Sequence, residues 1–202
     1  MIQGLYTIVD NSLTPEYSHL FLAEQFLQGG ARILQLRRKG AIPPFEEARQ
    51  IMALKKKYNF TFIVNDFMDL AREVNADGFH GGRDDPSPEE SRKILGPGKI
   101  IGYSSHSLEE ALEAEKRGAD YVALGAIFPT ATKGPGHPIQ GLERLREVCQ
   151  QVKIPVVAIG GINRTNVENV IQAGASAVAM ISGLTKAKDI AGEVRWYVQH
   201  LS

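Results

Sequence analysis

Eight short apolar runs, each followed by a stretch with helical spacing, limit what this chain can become. The runs lie at 5–9, 33–37, 61–64, 78–80, 100–104, 121–125, 155–159 and 177–181. Between them, segments 20–27, 45–58, 88–95, 108–117, 142–152, 166–172 and 190–198 carry apolar residues at i, i+3, i+4 and i+7, the spacing of helices that bury one face. The third unit is the weakest, with only 66–74 available for its helix. Strand-then-helix alternation requires a parallel sheet with right-handed crossovers, and eight such units in 202 residues predict an α/β fold, a (β/α)8 TIM barrel. A doubly wound sheet is the runner-up. Against it, the first run leads into Asp10-Asn11-Ser12-Leu13-Thr14-Pro15 rather than a Gly-x-Gly-x-x-Gly turn.

Punctuation along the chain fits the barrel. Ser87-Pro88-Glu89-Glu90 reads as an N-cap, a proline in the first turn and acids beside the helix dipole. Gly29-Gly30-Ala31, Asn75-Ala76-Asp77-Gly78, Arg117-Gly118-Ala119-Asp120 and Ala173-Gly174-Ala175 are similar joints where a helix stops before the next strand. They amount to a degenerate internal repeat on the bottom face and are assigned to folding. No Ser-rich or single-sign charged stretch divides the chain, so residues 1–202 read as one barrel domain.

Charge narrows the partners. Lys plus Arg equals Asp plus Glu at 23 each, which offers no basic footprint for nucleic acid, so any bound anion must be gripped locally. The single cysteine, Cys149, shares helical spacing with Leu142, Leu145 and Val148 and reads as a buried, inert thiol; no zinc-like Cys/His spacing occurs. No apolar run approaches the ~18 residues of a membrane span, and the start carries neither a basic region nor a cleavage site. The expectation is a soluble cytoplasmic protein, with oligomeric state open and a homo-oligomer among the options.

Polar residues collect at the carboxyl ends of the runs, where such barrels bind ligands. At the end of the second run, the two-residue period of a strand places Gln35, Arg37 and Lys39 on one face and Leu36 on the other. An Arg in a barrel mouth needs an anionic partner, either a ligand or a neighbouring carboxylate. The third run ends in Asn65-Asp66 and the fourth in His80-Gly81-Gly82-Arg83-Asp84-Asp85. Carboxylates from adjacent loops, with Asp84 and Asp85 both candidates, suit Mg2+, which takes one or two from a protein and fills its shell with water and phosphate oxygens. A turn and cap at Asp85-Pro86-Ser87-Pro88 is the plainer alternative.

The remaining ends add donors. Ser104 has a short reach to the same centre, whereas His80 and His106 are candidate acid–base groups that lack a positioned nucleophile and read more simply as structural. The sixth end, Phe128-Pro129-Thr130-Ala131-Thr132-Lys133-Gly134, supplies two hydroxyls and a cation that can all donate to an anionic oxygen. Gly160-Gly161 after the seventh run and Ile181-Ser182-Gly183 after the eighth allow a phosphate to approach backbone N–H groups. Two anion pockets thus face each other across one mouth that also offers a divalent-metal site.

Taken together, Gln35-x-Arg37-x-Lys39, Asn65-Asp66, Asp85, Ser104, Thr130-x-Thr132-Lys133, Gly160-Gly161 and Ile181-Ser182 make the chain resemble the thiamine-phosphate synthase and thiazole tautomerase family over nearly its whole length. The resemblance implies a transferase of alkyl groups that condenses an aminopyrimidine methyl diphosphate with a thiazole ethyl phosphate, plain or carboxylated, to give thiamine phosphate and diphosphate. It implies that Gln35, Arg37, Lys39, Asn65, Ser104 and Lys133 hold the pyrimidine diphosphate, with Arg37, Lys133 and Ser104 serving the chemistry. It further implies Asp66 and Asp85 as ligands of Mg2+, and Thr130, Thr132, Gly161, Ile181 and Ser182 as the thiazole phosphate site.

Three departures accompany the resemblance. Arg38 stands where similar proteins carry an acid, and alternation points it away from Arg37; Arg83-Asp84 replaces Gln-Glu and could tighten diphosphate binding or compete with the metal. The loop Gly134-Pro135-Gly136-His137-Pro138 is rich in Gly and Pro and is a candidate lid. A thiazole tautomerase is the nearest alternative activity, but the resemblance would then require histidine where Ala126 stands. A non-catalytic phosphate-binding regulatory barrel is the other, since a fold alone does not confer activity.

Overall fold

In the computed structural model, which describes residues 2–130 and 138–201, eight parallel strands close into a barrel in sequence order. The strands are β1 (Gly4–Val9), β2 (Ile33–Leu36), β3 (Thr61–Asn65), β4 (Gly78–Gly81), β5 (Ile100–Ser105), β6 (Tyr121–Gly125), β7 (Val156–Ile159) and β8 (Ala177–Met180). The helices are α1 (His19–Gln28), α2 (Phe45–Ala53), α3 (Met68–Glu73), α4 (Pro88–Leu95), α5 (Leu108–Lys116), α6 (Gly141–Gln151), α7 (Val167–Gln172), α8 (Ser182–Thr185) and α9 (Ile190–His200). The (β/α)8 expectation therefore holds, and each strand starts and stops within a residue of its apolar run.

Two differences have local causes. Helical spacing predicts a helix over 45–58, but α2 gives way to a 3-10 turn at Leu54–Lys56. There Lys55 reaches the Phe60 carbonyl at 3.0 Å and the Asp77 carboxylate at 2.5 Å, tying the end of the helix to the entry of β3. The one-turn α8 is too short to show a period in sequence, and it begins at Ser182, one of the expected phosphate residues.

Alternation along the strands sorts the core into two shells. Leu5, Val9, Leu34, Leu36, Phe62, Val64, Phe79, Val122, Leu124 and Val178 face the helices. Their neighbours Tyr6, Ile8, Ile33, Ile63, Tyr121, Ala123, Val157, Ala177 and Ala179 fill the barrel, as expected for a packed lumen rather than a pore. At the bottom, Gly30, Gly118, Gly174 and Asn75 take positive φ, which ends their helices and turns the chain into the next strand. The Ser87 capping box is formed as its sequence indicates, with the Glu90 carboxylate accepting from the Ser87 amide at 2.9 Å.

Gly102 is fixed by its neighbour. A Cβ there would lie 2.1 Å from Cζ and 2.3 Å from Oη of Tyr121, so the bare backbone of β5 makes room for that ring inside the lumen. Gly102→Ala is expected to destabilise the fold by about 1–3 kcal/mol, the usual cost of overpacking. Thermal denaturation checks this, and an unchanged midpoint would contradict the packing.

Candidate functional site

The carboxyl ends of the strands surround a cavity of about 590 Å3. Of the residues singled out from sequence, Gln35, Arg37, Asn65, Asp66, Ser104, Thr130, Gly161, Ile181 and Ser182 line it. Asp85 sits beside it on the β4 loop, close enough for its charge to act on Asp66. Lys39 does not line it: β2 ends at Leu36, so alternation lapses beyond Arg37 and Lys39 is exposed. Thr132, Lys133 and positions 134–137 of the candidate lid lie outside the described residues.

Arg37 has the carboxylate its position demands. Its Nη1 donates to Oδ2 of Asp10, which lies just past the end of β1 and is 1% exposed. Burial pushes the Asp10 carboxyl up, but the hydroxyl and amide of Ser12 and the Arg37 guanidinium outweigh it, so its pKa lies below the usual value. Asp10 is therefore an anion at neutral pH that fixes one edge of the guanidinium and leaves the rest facing the cavity. The two readings of Arg37, ion pair and ligand contact, are compatible. Arg38 turns away to Glu47 at 3.0 Å, as alternation indicates. Arg83 lies outward against Glu110 at 2.5 Å and does not line the cavity.

Asp66 has the opposite electrostatics. Its φ of 62° is unusual for a non-glycine residue. The conformation is held between its amide, which donates to the His80 carbonyl at 3.0 Å, and the Phe67 amide, which donates to the Asn65 carbonyl at 2.7 Å. Burial raises the Asp66 pKa and the charge of Asp85 raises it further, with Arg37 and Asn65 as partial offsets. Burial also raises Asp85, against a hydrogen bond from the Gly82 amide at 2.8 Å and with Asp84 adding repulsion. Two hard oxygen donors that repel each other at one rim fit a divalent cation. No group of three or more His, Cys, Asp or Glu suited to a metal occurs among the described residues, so such an ion would need oxygens from water or substrate.

Across the mouth, backbone dominates. Gly160 and Gly161 have φ of 101° and 67°, and a Cβ on Gly161 would lie 2.5 Å from the Pro129 carbonyl oxygen. The β7 loop thus packs directly on the β6 loop, beside Thr130. The start of α8 adjoins them, since a Cβ on Gly183 would lie 3.6 Å from the Ile162 carbonyl oxygen. The first turn of a helix leaves N–H groups without intrahelical acceptors, and with the Thr130 and Ser182 hydroxyls this forms a region of donors without a carboxylate. Lys186, exposed at the end of α8, brings a cation to the same wall.

Beneath the mouth, five side chains from five strands join in a row. Gln35 Nε2 donates to Tyr6 Oη at 2.9 Å, Tyr6 Oη meets Tyr121 Oη at 2.7 Å, Tyr121 Oη meets His80 Nδ1 at 2.9 Å, and His80 Nε2 meets Ser104 Oγ at 2.8 Å. Burial holds both phenols well above their usual pKa, so both stay protonated. Apolar Ile8, Ala123, Val157, Ile159 and Ala179 share the wall above, and Ala126 presents only a methyl group.

Asp10, Tyr6, Tyr121 and the role of His80 are not among the site residues expected from sequence. The signal was present in alternation, because Tyr6 and Ile8 share the inward face of β1 and Asp10 follows them two residues on, just past its end. Cys149 is half-buried rather than buried, and burial pushes its thiol up to about 11, so it is inert at neutral pH as expected.

Residues 5–184 match the family model described as thiamine monophosphate synthase. A thiamine-phosphate synthase of Shouchella clausii is 46% identical over 188 residues, covering 92% of this chain and 90% of the relative. One from Methanospirillum hungatei is 44% identical over 195 residues, covering 95% and 94%. Among solved structures, a thiamine phosphate pyrophosphorylase from Pyrococcus furiosus superposes with a TM-score of 0.86 at 40% identity, over 98% of this chain and 96% of its own.

Proposed function

Since the chain belongs to the thiamine monophosphate synthase family, we propose that it condenses an aminopyrimidine methyl diphosphate with a thiazole ethyl phosphate, plain or carboxylated, releasing thiamine phosphate and diphosphate, and carbon dioxide as well from the carboxylated form. The observation that supports this most is the division of one mouth into two unlike halves. Arg37 and the Asp66–Asp85 carboxylates stand on one side, and a carboxylate-free arc of Thr130, Gly161, Ile181 and Ser182 on the other. A diphosphate leaving group with its counter-ion suits the first half, and a monophosphate the second.

On this reading Arg37, steadied by Asp10, meets the charge that grows on the departing diphosphate, and the amide of Asn65 and hydroxyl of Ser104 donate beside it. Such preorganised donors act on the transition state more than on the ground state. By its position in the chain Lys133 is assigned to the same half, and Gln35 belongs to its floor. When bound at Asp66 and Asp85, Mg2+ would supply further neutralisation of the leaving group. The apolar wall of Ile8, Ala123, Val157 and Ile159 takes the two aromatic rings and keeps water from the electron-poor methylene. The thiazole nitrogen attacks as the diphosphate leaves, in a dissociative, cation-like step for which the side chains need only hold both partners in line. No general base is required.

Thr130, Thr132, Gly161, Ile181 and Ser182 hold the thiazole phosphate. Thr130→Ala is accordingly expected to raise KM for the thiazole partner about tenfold, the loss of one hydrogen bond to a charged group, with kcat nearly unchanged. Steady-state kinetics with each substrate varied separately checks this. The reaction itself is tested by incubating the purified protein with both phosphorylated halves and Mg2+. Formation of thiamine phosphate and diphosphate is the expected result, and no product at saturating substrate would overturn the proposal. A tautomerase would consume the thiazole precursor without diphosphate release, and Ala126 lacks the acid–base group for that task.

A further inference from the structure

The row Gln35–Tyr6–Tyr121–His80–Ser104 spans the barrel under the cavity, and a simple condensation needs no such row. Gln35 also makes a hydrogen bond with Tyr121, and two directions run unbroken from one end of the row to the other. In one, Gln35 Nε2 donates to Tyr6, Tyr6 to Tyr121, Tyr121 to His80 Nδ1, and His80 Nε2–H to Ser104, whose own O–H is then free to donate into the cavity. In the other, every donor is reversed, the Gln35 amide is turned over, and the Ser104 O–H is consumed by His80 Nε2. The direction therefore decides whether the cavity is offered a donor or only an acceptor.

We propose that the row runs from Gln35 to Ser104, and that Tyr6, Tyr121 and His80 are positioning residues that fix His80 as its Nε2–H tautomer and aim the Ser104 hydroxyl proton at the substrate. Three observations carry this. Gln35 Nε2 lies 2.9 Å from Tyr6 Oη, which starts the row with a donor that cannot accept. The two phenols are 1% and 0% exposed and remain protonated, so each has one proton to pass along and a fixed neighbour to receive it. His80 is clamped on both ring nitrogens, at 2.9 and 2.8 Å, and its ring stacks on Tyr121 with centroids 5.5 Å apart, so it cannot turn to exchange partners. Asp10 and Arg37 make their own ion pair and are not links in the row.

The assignment rests on Ser104 facing substrate in the proposed reaction, and its test has one arm that needs no turnover. Long-range proton–nitrogen NMR of the imidazoles, with the His80 signal identified by its loss in His80→Gln, reads the tautomer directly. Nε2–H is the expected form, and Nδ1–H reverses the row and overturns the proposal. In the second arm, Tyr121→Phe keeps the ring beside Gly102 but removes the link, and is expected to lower kcat/KM about tenfold. In a Ser104→Ala background the same change is expected to cost nothing more, because the hydroxyl it serves is gone. Multiplied losses in the double variant would also overturn the proposal, since a merely structural tyrosine acts whatever stands at position 104. Should Tyr121→Phe lower the melting temperature, Tyr6→Phe repeats the cycle one link further away. If no thiamine phosphate forms with the wild type, the proposed reaction fails while the tautomer still decides the direction of the row.

Discussion

Arg37→Ala is expected to lower kcat/KM about 10²–10³-fold, the usual cost of removing a preorganised charge-stabilising donor from an active site. The loss falls mainly on kcat if Arg37 acts on the leaving group as its charge develops, and mainly on KM if it only holds the diphosphate in the ground state. A second effect follows from Asp10. With Arg37 gone, a carboxylate that is 1% exposed keeps its Ser12 hydrogen bonds but no cation paired to it among the described residues, and removing one partner of a buried pair is more costly than removing both. Arg37→Ala is therefore expected to lower the thermal midpoint, and adding Asp10→Asn to restore part of it without restoring turnover. Because the folded pKa of Asp10 is depressed, the stability it contributes is present above its unfolded value and lost as pH falls through the folded one. The wild-type advantage over the double variant should therefore shrink in acid. Calorimetry of the three proteins across that range tests it, and a double variant no more stable than Arg37→Ala at neutral pH would contradict the pairing.

Asp66→Asn and Asp85→Asn are expected to trade activity for stability. Both carboxyls are raised by burial, and Asp66 further by the charge of Asp85. A raised folded pKa means that stability is fullest below the unfolded pKa and is lost as pH rises through the folded value, so at neutral pH the ionised pair weakens the metal-free fold. Neutralising one member should raise the thermal midpoint in chelator, by roughly 2–4 °C for each kcal/mol relieved in a domain of this size. If the pair holds Mg2+ as proposed, the same change should reduce Mg2+-dependent turnover about 100-fold or more, since the ion would supply several kcal/mol of charge stabilisation. Added Mg2+ should raise the wild-type midpoint and leave that of the Asn variants nearly unchanged. Wild type that gains nothing from Mg2+, or variants that keep full turnover, would remove the metal from this pair.

The barrel was legible because its signal is periodic and repeated. Each apolar run stopped where the chain became polar, and the Ser87 cap and the Gly118 and Gly174 joints marked helix ends by chemistry that acts within a few residues. The mouth was legible for the same reason, since residues at strand ends converge once the strands do. What escaped notice needed a second strand to give it meaning. Asp10 becomes a site residue only when β1 pairs with β2 and brings it to Arg37, and Tyr6 and Tyr121 are 115 residues apart in sequence. An inward-facing Tyr in an apolar run reads as core until another polar atom is found opposite. Lys39 shows the converse error, a two-residue period continued after the strand had ended.

The filled lumen imposes a traffic rule. Below the tyrosine floor, Ile2, Ile33, Ile63 and Ala177 close the barrel, so the chamber is a blind alley whose entrance is also its exit. If the proposed condensation takes place there, both reactants must enter and both products leave through the same opening, past the two halves of the rim.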